Sequence, residues 1–323
     1  MKELNVLSLF NGMSFGKMAL ESLGIKVNKY YSSEIDKYAN QAAQALFPDT
    51  IQLGDVTQWR DWDIDWASIN LVTGGFPCQA WSMAGKQLGD KDERGMLFWV
   101  MLDIMKHVKY HNPKADFLIE NVKMKKEFEQ YITAHTENAL GHVYKVLINS
   151  ALVSAQNRNR YYWTSFEVGQ PEDKNILLTS VLEDLPDCPV GVAVREKSKC
   201  VRAGGRNSPL GDKHEWDSPF QRVTKKGILK KGIEKAACLT GGAKSGGNHS
   251  DMDIIHSAMA TRRYSTRECF RLQTVPEHLI NKILACGVSN TQLYKIAGNG
   301  WTDEVIAHNL RHSNLGKQHN DCI

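Results

Sequence analysis

The 323-residue sequence has no run approaching the roughly 18 consecutive apolar residues of a membrane span, and its opening, MKELNVLSLFNGM, is too short in apolar residues for a secretory signal. A membrane protein and an exported one are set aside, and a soluble, cytoplasmic protein is expected. The seven cysteines, at 78, 188, 200, 238, 269, 286 and 322, are odd in number and include no Cys-x-x-Cys pair. Neither a disulfide frame nor a structural zinc site is favoured, so no metal is expected. There is no G-x-G-x-x-G and no glycine-lysine-serine phosphate loop, which counts against a dinucleotide pyrophosphate and against a nucleoside triphosphate. Strong net charge is also missing, with 40 Lys plus Arg against 36 Asp plus Glu, or +4. With 42% hydrophobic and 24% charged residues, disorder is excluded as the dominant state, and the length suits one large domain or two modest ones.

What is present is an alternation of β-rich runs and helical patterns over the first 165 residues, the signature of strand-helix-strand units and a mostly parallel sheet. Strands are expected at Asn5 to Leu9, Lys29 to Ser33, Ile69 to Thr73, Asp116 to Glu120, Tyr144 to Asn149 and Arg160 to Ser165. The clearest helix is Leu97 to Val108, where Leu97, Val100, Met101, Ile104, Met105 and Val108 share one face and read as a core stripe. After Phe166 the alternation fades. Residues 195 to 235 alone carry +7, leaving the remainder at −3, so the basic charge is local. A charge run is often only a solvated face, but glycines and polar loop residues interleaved with it also suit phosphate contacts. A helical segment returns at TRECFRLQTVPEHLINKI, with Thr266 as its expected cap and Glu268 close behind. A last helix is expected from Asp303 to Leu310, followed by a loose tail.

Three constellations carry chemistry. First, Gly12 and Gly16 stand where the first strand hands over to a helix, a turn that lets a ligand approach the backbone closely. The second strand ends in Glu34, about 20 residues on, where a carboxylate can accept hydrogen bonds from ribose hydroxyls. Asp55, after the LGDV run, could take the amine of an adenine. Together they suggest a ligand bearing adenosine without a pyrophosphate. Second, INLVTGGFPCQAWSMAGK delivers Phe76, Pro77, Cys78 and Gln79 at the carboxyl end of a strand, where open α/β sheets bind ligands. A cysteine there is well placed as a nucleophile, and the Gly-, Lys- and Ser-rich stretch behind it reads as a closing loop. Third, ADFLIENV brings Glu120 and Asn121 out at the same sheet edge, suggesting covalent attack assisted by a proton donor. In AQNRNRYYW, Gln156, Arg158 and Arg160 alternate, so the two arginines are expected on one face of an extended segment.

Taken in order and with these gaps, GGFPCQ with its SMAGK loop, ENV, QNRNR, RECFRLQ and AGNG resemble the cytosine carbon-5 DNA methyltransferases over residues 4 to 165 and 262 to 311. The resemblance implies a Rossmann-like, doubly wound, mostly parallel α/β fold with a second, smaller, loop-rich domain. It implies S-adenosyl-L-methionine as cofactor, held by Phe10, Gly12, Gly16, Glu34, Ile35, Asp55, Val56, Pro77 and Asn299, with Ile35 and Val56 on either side of the adenine. It implies Cys78 as nucleophile, Glu120 on the cytosine ring edge, Arg160 orienting the base, and Arg158 supporting Glu120 or a nearby phosphate. Gln79, Ser82, Lys86 and Arg94 would lie on the loop that closes on DNA, and Arg202 and Arg206 in the basic stretch would meet phosphates. FNGMSFG and AGNGWT depart from the commoner family patterns at Asn11, Ser14, Gly300 and Trp301, so altered packing of the cofactor pocket is expected.

On this reading residues 1–165 and 263–311 form the catalytic domain, 166–262 the target-recognition domain and 312–323 a loose tail. The partner is double-stranded DNA, with a restriction endonuclease acting independently as a further candidate, and the protein is expected to be a monomer. Two other readings compete: a tRNA cytosine-C5 methyltransferase, whose Cys-Phe-Thr triplet is absent, and a catalytically silent DNA-binding homologue, which would have lost Cys78 or Glu120.

Overall fold

The computed structural model describes residues 4–77, 93–183, 222–223, 229–230, 254–256 and 261–315. It divides into two compact units: the first comprises Met1–Ile148, Asn159–Gln170 and Ile306–Ile323, the second Asn149–Arg158 and Pro171–Val305.

The first unit is built on a seven-stranded sheet. In chain order its elements are β1 (Leu4–Leu9), α1 (Phe15–Ser22), β2 (Val27–Ser33), α2 (Lys37–Leu46), β3 (Ile51–Gln52), β4 (Ile69–Gly74), α3 (Glu93–His111), β5 (Asp116–Val122), α4 (Lys126–Leu140), β6 (Tyr144–Asn149) and β7 (Asn159–Thr164). The spatial order is β3-β2-β1-β4-β5-β7-β6. The pairings from β3 through β5 are parallel, and β7 runs antiparallel to β5. The six expected strands are all present. The two-residue β3 is the strand that hydropathy missed, because two exposed residues carry no alternation to read.

The register of the parallel strands matters most for function. Leu9 pairs with both Ser33 and Gly74, and Gly74 pairs with Ile119. The next residues are Phe10, Glu34 and Gly75, which follow their strands at one carboxyl edge, and Glu120, which is level with them while β5 continues to pair with β7.

The core explains why the sequence folds this way. Leu7 and Leu9 of β1, Ile69 and Val72 of β4, and Phe117 and Ile119 of β5 belong to one buried cluster with Met101, Ile104, Met105 and Val108 of α3. Leu97 and Val100 are half-buried against it, so the expected stripe on this helix is the face that packs. Fully burying each such side chain contributes about 1.5–3 kcal/mol. Val6, also fully buried, points to the other side of the sheet by strand alternation. A Cβ added to Gly74 would lie 2.8 Å from the Met101 sulfur, so the missing side chain lets α3 approach the end of β4.

The described residues at the start of the expected loose tail are anchored. The Asn314 backbone N–H and side-chain amide both donate to the Asp116 carboxylate at 3.1 Å, and Ser313 is fully buried. Residues 312–315 therefore belong to the fold, since Asp116, whose carboxyl is pushed up by burial against the pull of Ser165 and Asn314, has its partners there.

In the second unit two short antiparallel pairs, β8 (Arg222–Val223) with β9 (Leu229–Lys230) and β10 (Ile254–His256) with β11 (Thr261–Arg263), precede α5 (Thr266–Leu272), α6 (Glu277–Ala285), α7 (Asn290–Asn299) and the start of α8 (Asp303–Arg311). The cap of α5 is Ser265, not Thr266. The Ser265 hydroxyl accepts from the Glu268 N–H and Glu268 reaches back to the Ser265 N–H, a reciprocal capping box one residue earlier than expected. The expected continuous helical segment is broken before Pro276, which cannot donate to a preceding turn. Compactness groups α5 to α7 with the second unit, whereas their motifs were expected in the catalytic part.

Candidate functional site

The turn after β1 is held in conformations that L-residues resist. Phe10 has φ 54° and Ser14 φ 71°, with Gly12 at φ 58° between them. Such strain persists only where surrounding structure over-determines it, and it concentrates at functional sites. Nothing lies within 4 Å of a Cβ built on Gly12, so the glycine meets the backbone angle and leaves open space above the turn. Gly16 is buried inside α1.

Glu34 ties this turn to the end of β2. One carboxylate oxygen accepts from the Gly12 N–H at 2.8 Å, and the other from the N–H groups of Ile35 and Asp36 at 2.9 and 2.8 Å. A carboxylate offers about four acceptor positions, so three bonds leave capacity for a ligand hydroxyl. Ile35 beside it is 77% exposed, an apolar side chain that the described residues leave uncovered. Val56 is buried. Asp55 caps the short helix Val56–Asp61, one oxygen accepting from the Thr57 N–H and hydroxyl at 2.8 and 2.9 Å. The Ser33 hydroxyl donates to the Gly54 carbonyl at 2.8 Å, which keeps Asp55 next to the β2 end. Phe10 is half-buried against the core cluster. An open glycine turn, a carboxylate with acceptor capacity to spare, an exposed apolar side chain and a second carboxylate together could hold a ligand with hydroxyl groups and an aromatic ring.

Further along the same edge, Glu120 and Arg160 form an ion pair, Nε to Oε1 2.9 Å, with side chains 10% and 11% exposed. In the antiparallel β5–β7 register Glu120 faces Tyr162, which makes Arg160 its diagonal neighbour on the same sheet face. The neighbouring Asn121 donates its side-chain amide to the Phe76 carbonyl at 2.9 Å, and its oxygen accepts from the Val122 N–H at 2.8 Å. It thereby fixes the chain two residues before Cys78. Sequence reasoning noted Asn121 only as the residue after Glu120; its position in ENV was the available signal. Pro77 is half-buried at the end of the described chain. Cys78, Gln79, Ser82, Lys86, Arg202 and Arg206 lie outside the described residues, and Arg94 is placed in α3 without a described side chain.

Arg158 is buried in the second unit, donating to the carbonyls of Gly298 at 3.3 Å and Gly300 at 2.6 Å, while in the first unit Glu120 pairs with Arg160. Arg160 lies in β7 and Arg158 precedes that strand. Gln273 of the RECFRLQ motif reaches the same turn, donating to the Ala297 carbonyl at 2.6 Å and accepting from the Thr302 hydroxyl at 3.1 Å. Gln156 and Ser154 both donate to the Leu272 carbonyl. Three motifs far apart in sequence are thus knit by buried polar bonds within one unit. Asn299 is exposed at the end of α7, and Trp301 is buried. Among the described residues, no group of three or more His, Cys, Asp or Glu could hold a metal ion, and no helix is long and apolar enough to cross a membrane.

The model of the C-5 cytosine-specific DNA methylase family matches residues 4–312. The type II methyltransferase M.NlaX of Neisseria lactamica is 35% identical over 314 residues, covering 93% of each chain. M1.ScrFI of Lactococcus lactis subsp. cremoris is 31% identical over 312 residues, covering 91% of this chain and 74% of that one. The crystal structure of the S. pombe Dnmt2 methyltransferase superposes with a TM-score of 0.64 over 98% of this chain and 100% of the other; at 19% identity that likeness shows the fold. With a match over nearly its whole length, the chain belongs to the C-5 cytosine-specific DNA methylase family.

Proposed function

We propose that the protein turns a cytosine out of a DNA duplex and methylates its carbon 5, using S-adenosyl-L-methionine. The observation that carries this reading is the buried Glu120–Arg160 pair, beside an asparagine that fixes the approach to Cys78. Flipping the base costs about a few kcal/mol of unstacking. The Cys78 thiolate adds to ring carbon 6, while Glu120 holds nitrogen 3 and the exocyclic amine, drawing electron density as the new bond forms. Arg160 keeps the Glu120 carboxylate in one orientation and contacts the base. S-adenosyl-L-methionine, when bound, supplies an electrophilic sulfonium methyl, which the electron-rich carbon 5 accepts. The carbon-5 proton then leaves to solvent, the bond from Cys78 to carbon 6 breaks, and 5-methylcytosine is released.

Phe10, Gly12, Gly16, Glu34, Ile35, Asp55, Val56 and Pro77 would hold the cofactor, with Glu34 on the ribose, Ile35 against the adenine and Asp55 on its amine. Asn299 is proposed to complete that site. Gln79, Ser82, Lys86 and Arg94 would belong to the loop that closes on DNA, with Arg202 and Arg206 among the phosphate contacts of a recognition segment over 166–262. Arg158 serves by holding the AGNG turn. The protein is proposed to act as a monomer, and an independently acting restriction endonuclease as a further partner fits the type II names of the relatives. Bisulfite sequencing of plasmid from cells expressing the wild type and Cys78→Ala tests the proposal. Protected cytosines in one sequence context with the wild type alone are expected; an unmethylated plasmid, or methylation by the variant, would overturn it.

A further inference from the structure

The left-handed turn from Phe10 to Ser14 needs to be held from two sides. Glu34 holds it through the Gly12 N–H. On the other side stands Asn11, 7% exposed, whose backbone N–H donates to the Ser33 carbonyl at 3.1 Å. Its side-chain oxygen accepts from the Tyr30 hydroxyl at 3.1 Å, and its amide donates to the Ser14 hydroxyl at 2.8 Å and more weakly to the Gly12 carbonyl at 3.4 Å. Tyr30 is 1% exposed and Ser14 fully buried, so solvent does not compete for these bonds. Burial drives the Tyr30 hydroxyl well above the usual tyrosine range, against the opposing pull of Ser8 and the Lys17 backbone, and it therefore stays a donor. A donor at that point fixes which way the amide faces: oxygen toward Tyr30, nitrogen toward Ser14 and Gly12.

We propose that Asn11, oriented by Tyr30, is a positioning residue for the cofactor: without touching it, the pair holds Gly12 and Ser14 in the left-handed conformations that keep the turn open. The inference rests on the proposal that S-adenosyl-L-methionine binds at this turn. An aspartate in place of Asn11 could still accept from Tyr30, and from Ser14 if that hydroxyl turned, losing only the weak donation to Gly12. An alanine would lose every side-chain bond and leave the Tyr30 hydroxyl buried without its acceptor.

The test is calorimetric titration of the full-length protein with S-adenosylhomocysteine, using wild type, Asn11→Ala, Asn11→Asp, Tyr30→Phe and the Asn11→Ala/Tyr30→Phe double variant. Duplex-DNA gel shifts and thermal unfolding without ligand run alongside. Asn11→Ala is expected to weaken binding by about tenfold and Tyr30→Phe by about threefold, with Asn11→Asp within about threefold of wild type. The double variant should bind no worse than Asn11→Ala, because the tyrosine acts only through the asparagine. DNA binding should stay within about twofold, and in turnover the cofactor KM should rise with kcat at saturation little changed. Wild-type affinity in Asn11→Ala, or independent effects of the two substitutions, would overturn the inference alone. Failure of the wild type to bind would overturn the cofactor reading and the inference with it. A matching loss of DNA affinity or a large fall in Tm in both Asn11→Ala and Tyr30→Phe would show a general structural role instead.

Discussion

Glu120 and Arg160 stand 40 residues apart in sequence, yet the arginine Nε reaches the carboxylate. The reason is the strand register. Arg160 lies inside β7, where antiparallel register makes it the diagonal neighbour of Glu120, and Arg158 precedes that strand, with its N–H on the Asn149 side chain and its guanidinium on the AGNG carbonyls. Glu120→Gln keeps the shape and removes the charge. It is expected to lower kcat by about 100-fold or more, in keeping with loss of a proton-sharing group, while affinity for S-adenosylhomocysteine is unchanged. Single-turnover methyl transfer and calorimetry together check it, and equal losses in both would assign Glu120 to the cofactor instead. Asn121→Ala frees the Phe76 carbonyl and is expected to slow methyl transfer about tenfold without altering cofactor binding, since it acts on the chain leading to Cys78.

At the scale of elements, the sequence marked the helices by their apolar faces and their ends by their polar residues, and it was one residue off where two capping residues adjoin. Ser265 and Thr266 are both good caps by type; only the Glu268 N–H, within reach of the serine, decides between them. Ser265→Ala should therefore cost about 1 kcal/mol in urea unfolding, and Thr266→Ala less than about 0.5 kcal/mol. The reverse order would restore the cap that hydropathy and residue type suggested. Gly74→Ala tests the contact of β4 with α3. Its Cβ would stand 2.8 Å from the Met101 sulfur, and the overpacking is expected to cost about 1–3 kcal/mol, read as a lower Cm at an unchanged m value.

At the scale of the molecule, one buried carboxyl group contributes a pH dependence. Asp303, at the start of α8, is buried with a carboxylate oxygen that has no hydrogen-bond partner among the described residues, and burial, reinforced by neighbouring Glu304, raises its pKa to about 8. In the unfolded chain the group loses its proton near the usual carboxylate range, so between about pH 4 and pH 8 the folded state binds more protons. Stability should fall as pH rises through that window and level off above it. Asp303→Asn removes this part of the slope and should be the more stable protein at pH 8 and above. Denaturant unfolding of both proteins from pH 5 to pH 9 gives the answer, and parallel curves would mean that the carboxylate is charged in the folded state.

The sequence by itself determined the alternating architecture, the order of the motifs and the residue types at the sheet edge, because periodicity and local spacing survive without tertiary contacts. Glu34, Glu120 and the glycine turn were legible for that reason. What only the tertiary structure decided was which of these groups touch. The register that sets Leu9 beside Ser33 and Gly74 brings Gly12 to Glu34, and the antiparallel register of β7 brings Arg160 to Glu120. The burial that makes Tyr30 a fixed donor to Asn11, and Asp303 a raised acid, is likewise a property of packing. Hydrogen bonds and desolvation depend on distances of a few ångströms between residues far apart in the chain, and no local pattern encodes those distances.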